Sequence, residues 1–356
     1  TVIATTDNSY IIFDDTSPSD FTVGDVVSTG GNNVSLFWNS TNTGMDVIVP
    51  IASDTTLDSG RVQIYAKIGA NAFEILGSYE FVEPGEVGLT KTMSIPGEQV
   101  RSITGYAEEQ TITIRANIYD VPGNETIGAE STTELTIEET SPSITYVSYR
   151  SNFSDTTLAT VGHEITVTLR INEPIQNPTA TISSNPANII DLGDNAWHCK
   201  YEMQDSDSDG IIPFQIGEIR DIAGNPTAGT ETTTDGSTVV FDNTKPTLDP
   251  VRIRSSNADS TWAKVGDTIS IKFVANELLS DQVTSIVGQA ANISELGGGQ
   301  KYLAMYEMID SDPEGEVIFE IIVTDSVGLL SDPVTSTTNS SQVIFDRTLP
   351  TSDLVN

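Results

Sequence analysis

IFDDTSP at residues 12–18 returns as TIEETSP at 136–142, as VFDNTKP at 240–246 and as IFDRTLP at 344–350. The four prolines lie 124, 104 and 104 residues apart, which is the period of tandem sandwich domains and far too long for a solenoid repeat. The phrase reads as the end of a strand: an apolar pair, an acid, polar residues, then Pro. Proline fixes φ and removes a donor, so the hydrogen-bond ladder stops there. Each copy therefore marks a boundary. The chain divides into an orphan closing strand at 1–14, a divergent sandwich at 15–140, two repeats at 141–244 and 245–348, and the opening of a further domain or a tail at 349–356.

Working outward, apolar residues recur with period two. Ile165, Val167, Leu169 and Ile171 alternate with Thr166, Thr168 and Arg170; Ile269, Ile271 and Phe273 repeat the pattern, and Ile112, Ile114, Ala116 and Ile118 carry it in the first repeat. This is the signature of half-buried strands, and no long run shows helical spacing with caps. An all-β fold of antiparallel sandwiches with very little helix is expected. The second and third repeats align almost without gaps: ATVGHEITVTL at 159–169 against AKVGDTISIKF at 263–273, Asn172-Glu173 against Asn276-Glu277, and YEMQDSDSDG at 201–210 against YEMIDSDPEG at 306–315. The first repeat is about 20 residues longer and lacks these phrases, although DVPGN at 120–124 matches DIAGN at 221–225. Extra strands or a longer loop between Gly30 and Gly60 would account for its length.

Composition narrows the classes of function. With 51 acidic and 16 basic residues the net charge is −35, which repels phosphate backbones and anionic membranes and suits solubility, divalent cations and a saline medium. Nucleic acid is not an expected partner. Cys199, the single cysteine, excludes an intramolecular disulfide; it alternates with Trp197 and Tyr201 on what reads as a buried strand face, so it is expected to be a core thiol. No apolar stretch reaches the length of a membrane-spanning helix, and no charged-then-apolar leader opens the sequence, so a signal peptide is expected to be already removed or to lie far upstream.

The AKVGD strand start, the D-x-D-x-x-G turn after YEM, the D-x-A-G-N turn and the closing FDNTxP together resemble the bacterial immunoglobulin-like repeats of very long surface proteins, adhesins and extracellular fibres. The resemblance covers 141–350 well and 15–140 only through DVPGN and the closing phrase. It implies tandem immunoglobulin-like antiparallel β-sandwiches, a structural or spacer role at the cell surface or outside the cell, and calcium near the joints. Leu329 departs from the pattern, standing where the other D-x-x-G turns carry Asn.

Candidate sites are few. Asp205, Asp207 and Asp209 before Gly210 place an acid at every second position ahead of a tight turn, a way for a loop to present several oxygens to calcium; Asp310, Asp312 and Glu314 are their counterparts, stiffened by Pro313. An EF-hand is not expected, because Ile216 stands where the twelfth-position Glu belongs. A second cation site is conceivable at a joint, where Asp242, Asn243 and a Glu such as Glu173 meet, against the simpler reading of Asp242 and Asn243 as a turn. His163 and His198 lack partners at zinc spacing. No G-x-S-x-G phrase or histidine-based triad is present, and catalysis is not expected. Trp38, Trp197 and Trp262 read as core residues or as sugar-stacking platforms, with Trp38 in the divergent repeat the one worth testing.

An isolated strand cannot bury Ile11 and Phe13 on its own and leaves its backbone groups unpaired. Tyr10, Ile11, Ile12 and Phe13 either close a preceding domain of a longer chain or are donated to a neighbouring copy, a recognition mode in which main-chain hydrogen bonds supply affinity. The sequence therefore predicts a non-enzymatic structural segment or subunit of a secreted bacterial fibre or adhesin shaft. Its expected partners are copies of itself or neighbouring immunoglobulin-like domains. The alternative is a surface module whose first domain binds a glycan or protein.

Overall fold

In the computed structural model, residues 13–350 are described and almost every regular element is a strand. The α-helix among them is the single turn Gly97–Val100, and Thr55–Leu57 forms one 3-10 turn. The fold is a tandem of immunoglobulin-like antiparallel β-sandwiches. Two compact units contain the strands. One holds the described residues up to Ser148 with Val167–Cys199 and Phe214–Asp235; the other holds Tyr149–Thr166, Lys200–Pro213 and Gly236 onward.

In the first unit, Gly44–Pro50 is flanked by Val26–Thr29 and Thr90–Pro96, both antiparallel to it. The facing sheet runs in the order Phe37–Trp38, Leu135–Ile137, Thr111–Tyr119, Arg61–Ile68 and Glu74–Phe81. Period-two alternation sends Met45, Val47 and Val49 from one sheet against Ile64, Ile112 and Ile114 from the other. In the stretch from Gly30 to Gly60, Phe37–Trp38 and Gly44–Pro50 are paired strands, Thr55–Leu57 is the 3-10 turn, and the rest is turn and loop. Trp38 is fully buried in this core, 0% exposed, so of its two readings the core one holds. Its strand pairs with the closing strand, and the Arg101 guanidinium covers its ring 5.1 Å from the centroid.

The second unit contains the third repeat. Thr268–Ala275 lies between Leu248–Ser255 and Lys301–Glu307, with Asn292–Glu295 at the edge; Leu279–Ile286 pairs with Phe319–Asp325 in the facing layer. Ile269, Ile271, Phe273, Ile321 and Val323 fill the space between.

The boundary phrases end as strands that add to a sheet. Leu135–Ile137, Val240–Phe241 and Ile344–Phe345 each pair in parallel with a two-residue strand early in their own repeat, at Phe37–Trp38, Leu158–Ala159 and Trp262–Ala263. Ile137, Phe241 and Phe345 are consequently buried. Phe13 holds the same place in the first copy and is 75% exposed. Tyr10, Ile11 and Ile12 lie outside the described residues, as do 351–356. Cys199 and Trp197 are buried as their alternation implies, and burial pushes the thiol up to about 11. Trp262, by contrast, is 48% exposed and is not a core residue.

Candidate functional site

The functional geometry gathers where one repeat hands over to the next, and it begins with the boundary phrase. In all four copies the acid after the apolar pair accepts a hydrogen bond from the N–H of the Thr two residues on: Asp14 from Thr16 at 3.0 Å, Glu138 from Thr140 at 3.1 Å, Asp242 from Thr244 at 3.0 Å and Asp346 from Thr348 at 2.9 Å. This local side-chain bond turns the chain out of the strand. A second acid, from the repeat just ended, then holds the turn. Glu108 accepts from Glu139 N at 3.0 Å and Thr140 Oγ1 at 3.1 Å; Asp209 accepts from Asn243 N at 2.7 Å and from Thr244 Oγ1; Glu314 accepts from Arg347 N at 3.1 Å and Thr348 Oγ1 at 2.6 Å.

The following repeat grips the linker from its other side. Asn172 Oδ1 accepts from Ser143 N at 2.6 Å, directly after Pro142, and Asn276 Oδ1 accepts from Thr247 N at 2.7 Å, directly after Pro246. Each Asn is followed by a Glu, Glu173 or Glu277, that reaches the joint.

The third contributor is the D-x-x-G turn of the following repeat. Asp221 Oδ1 accepts from Gly224 N at 2.6 Å and Asn225 N at 2.8 Å, a closure that requires the positive φ of 99° at Gly224. A side chain there would also collide, since a Cβ on Gly224 would lie 2.9 Å from both Asn39 Nδ2 and Val34 Cγ2. Asn225 is 0% exposed, and its amide is fully used. Oδ1 accepts from Ser40 N at 2.7 Å, while Nδ2 donates to Asp221 Oδ2 at 2.8 Å, to Glu138 O at 3.0 Å and to the Glu138 carboxylate. Asn39, equally buried, adds bonds from its Nδ2 to Asn32 O at 2.6 Å and Ala223 O at 2.7 Å.

Two groups of three carboxylates result, Glu138 with Glu173 and Asp221, and Asp242 with Glu277 and Asp325; within each group one oxygen per residue lies within 4.8 Å of the others. At such separations each pair of full charges repels by about 1 kcal/mol in water and about 3 at an effective dielectric of 20. Burial, then hydrogen bonding to and repulsion from Asp221, pushes the Glu138 carboxyl up to about 7. Glu173 rises through burial and then the Asp221 charge. In the second group burial, then the charges of Asp242 and Asp325, pushes Glu277 up to about 7, and Asp242 rises chiefly through burial.

The two groups differ at one position. Asp325 Oδ1 accepts from Val327 N and Leu329 N, both at 2.9 Å, as Asp221 Oδ1 does in its own turn. Leu329 replaces Asn225, however, so no amide reaches the other oxygen. Asp325 is 0% exposed and its Oδ2 has no hydrogen-bond partner. The first repeat shows the amide-closed form without a third acid: Asn124 Nδ2 donates to Asp120 Oδ2 at 2.8 Å and Asp14 O at 3.2 Å.

The acids singled out in the sequence take other places. Asp205 accepts from Asn243 Nδ2 at 2.9 Å, Asp207 from Gln204 N at 2.8 Å, and Asp209 holds the linker. Asp312 is buried, accepting from Ile309 N at 2.8 Å and Tyr306 Oη at 3.1 Å, and the Asp310 carbonyl accepts from Arg347. Among the described residues, neither loop gathers three carboxylates at ligand distance. The joint reading set Asp242 and Asn243 with a Glu such as Glu173; the fold places Asp242 with Glu277 and Asp325, and Glu173 with Glu138 and Asp221. Asp221, Asp325 and Glu108 were missed. The D-x-x-G turn was visible as a repeated phrase and its acid passed for a turn former, while Glu108 sits in a segment that shares no phrase with its counterparts.

No protein-family model matches the sequence, and no curated protein does. Among solved structures, fibronectin(III)-like modules of CbhA from Clostridium thermocellum align with 56% of this chain and 94% of their own, at 12% identity and a TM-score of 0.25. The D1–D4 ectodomain fragment of ICAM-5 aligns with 88% of this chain and 75% of its own, at 13% identity and 0.31. The I9–I11 tandem of titin covers 93% and 96%, at 9% identity and 0.26. All are distant in sequence and loose in superposition, and the β-sandwich assignment rests on the strand pairing described above. Among the described residues no helix is long and apolar enough to cross a membrane.

Proposed function

We propose that this chain is a structural segment or subunit of an extracellular fibre or adhesin shaft, with three sandwiches as its links. The observation that carries this reading is the double grip on each linker. Residues 138–143 are held by Glu108 from the repeat behind and by Asn172 and Asn225 from the repeat ahead, and residues 242–247 are held by Asp209 and Asn276 in the same way. A connection meant to swivel would leave its backbone donors to water. Here they are spent on side chains from both neighbours, which favours transmission of force over independent movement. The net charge of −35 and the single buried thiol suit a saline medium outside the cell.

The test is the width of a distance distribution across one joint. Spin labels at Glu98→Cys and Glu218→Cys, both exposed and both within the first unit, are expected to give one narrow distance that broadens in N225A. A distribution already broad in the unmodified joint would defeat the spacer reading.

A second reading has one observation in its favour. On the edge strand Glu74–Phe81, Tyr79 and Phe81 are exposed and packed edge to face at 5.5 Å, with Arg61 5.6 Å from the Tyr79 ring. Such a pair offers a stacking face to a glycan. Saturable binding on a glycan array, lost in F81A, would support a binding role for the first domain; no binding would leave the pair as surface.

A further inference from the structure

We infer that the outer face of the first domain's larger sheet binds a carboxylate-bearing polysaccharide, with Arg61 and Arg115 as the groups that read its acids. The inference rests on the reading of that domain as a glycan binder and names the chemistry of the glycan.

Strand alternation makes the face. Val62, Ile64 and Ala66 enter the core, as do Ile114, Ala116 and Ile118, so Arg61, Tyr65, Arg115 and Tyr119 stand on the opposite side. The pairing of Arg61–Ile68 with Thr111–Tyr119 sets Arg61 beside Tyr119 and Tyr65 beside Arg115. Rings then clamp both cations. Arg61 Cζ lies 4.5 Å from the Tyr119 ring centroid and 5.6 Å from that of Tyr79, and Arg115 Cζ lies 4.4 Å from Phe73 and 5.2 Å from Tyr65. The edge strand is shaped to join them. Its register shifts opposite Gln63, where Gly77 takes a φ of 73° and the buried Gln63 amide donates to Gly77 O at 3.2 Å. Such a bulge re-aims the side chains after it. Beyond it Phe81 pairs with Arg61, and Tyr79 packs on Phe81.

The guanidinium groups are held by rings and not by acids. Among the described residues neither has a carboxylate within ion-pair distance, in a chain with 51 acids. Arg115 Nε is buried without a hydrogen-bond partner. The acids nearby are engaged elsewhere: Glu130 with Lys67 at 2.7 Å, Glu125 with Asn117 Nδ2 and Tyr119 Oη at 2.5 Å each, and Glu134 with Thr113 Oγ1 at 2.8 Å. Stacking fixes a guanidinium without consuming its N–H donors, which stay available for a two-pronged bond to a carboxylate.

The spacing selects a polymer. Arg61 and Arg115 are four register positions apart on paired strands, about 13 Å of extended chain. A small acid cannot meet both, whereas an extended sugar chain with recurring carboxylates does, laying its apolar ring faces on Tyr79 and Phe81. A second copy of this chain would bring its own net charge of −35 to the contact, which opposes association. One polymer strand brings few charges beyond those the arginines meet.

The experiment is calorimetric titration of the full chain, in chelator-containing buffer, with an oligogalacturonate, its methyl ester and poly-L-glutamate. The parent is compared with R61K, R115K, F81A and the exposed control K272Q. We expect saturable binding of the oligogalacturonate, weaker by about tenfold for the ester and in R61K and R115K, which keep the charge and lose the fork. K272Q should bind like the parent. Arg61 is exposed, so R61K keeps its fold and carries the test if R115K melts early. The inference is overturned if the ester binds as well as the acid; loss of that binding in F81A would then leave the glycan reading standing. It is overturned too if poly-L-glutamate binds equally well, or if sedimentation shows a dimer that R61K dissolves, since the face would then belong to an acidic protein or to a second copy. Absence of binding by either sugar overturns both the inference and the reading beneath it.

Discussion

Asn225 ties three residues together with one side chain. Buried among Ser40, Glu138 and Asp221, it satisfies groups on both sides of a repeat boundary. Truncating it leaves the Oδ2 of the buried Asp221 and the partly buried Ser40 N–H without this partner, and a buried group left unsatisfied costs about 1 to 3 kcal/mol. We therefore expect N225A to lower the stability of the first unit by about 2 to 4 kcal/mol in denaturant unfolding, while N124A, whose amide is partly exposed, costs less. The Glu138 carboxyl beside it gives a pH signature. Its proton is held up to about 7 by burial and by Asp221, with Glu108 adding negative charge beside it. The folded state therefore binds that proton more tightly than the unfolded chain does. The stability it contributes is complete below the ordinary carboxyl value of 4.5 and is lost as pH rises through about 7. In chelator-containing buffer the melting temperature should fall between pH 5 and pH 8, and E138Q should remove its share of that slope; an unchanged slope in E138Q would place the proton elsewhere.

At the scale of elements, the closing strand and the turn that ends it were the most legible features. An apolar pair before an acid and Pro is a local signal, and Ile137, Phe241 and Phe345 are buried where alternation puts them. The period-two faces of Ile165 to Ile171 and Ile269 to Phe273 were legible for the same reason. What stayed hidden was which acids would meet. Asp221 and Glu173 are 48 residues apart in the chain and come together only through the fold, so no spacing rule displays them. The D-x-D-x-D loop did display a spacing, and in the fold its carboxylates accept from nearby N–H groups. Trp38 stayed open between core and surface because a lone Trp in a divergent segment has no aligned partner to reveal its burial. The threonine of each boundary phrase was passed over too, and its hydroxyl bond to the clamping acid is a separable element. T140V keeps the shape and removes the bond from Thr140 to Glu108. An exposed bond of this kind contributes about 0.5 to 1.5 kcal/mol, so T140V should shift the denaturation midpoint slightly and broaden the label distance across the joint more than it lowers stability. Equal effects on both would mean that the hydroxyl serves the fold and not the joint.

At the scale of the whole molecule, the first boundary phrase is the one that breaks the rule the others keep. The equivalents of Phe13 are buried by parallel pairing with a short strand of their own repeat, while Phe13 itself is 75% exposed. Since its three counterparts lie in cores, we propose that Phe13 enters one too and that a sheet of another domain, upstream in a longer chain or in a second copy, is its host. Asp14 already makes the turn that follows a docked strand, accepting from Thr16, and Asn124 reaches its carbonyl as Asn225 reaches that of Glu138. The turn and the amide contact found at the other joints are therefore also present at the start of the first repeat. If copies of this chain supply that host, deleting residues 1–14 abolishes head-to-tail assembly seen by electron microscopy and sedimentation, while the melting temperature of the remaining domains stays within a few degrees. F13S in the full chain should act in the same direction, since burying a phenylalanine contributes about 2 to 3 kcal/mol at each junction. Filaments that persist after the deletion would rule out strand donation between copies and leave residues 1–14 as the closing strand of a domain in the same polypeptide.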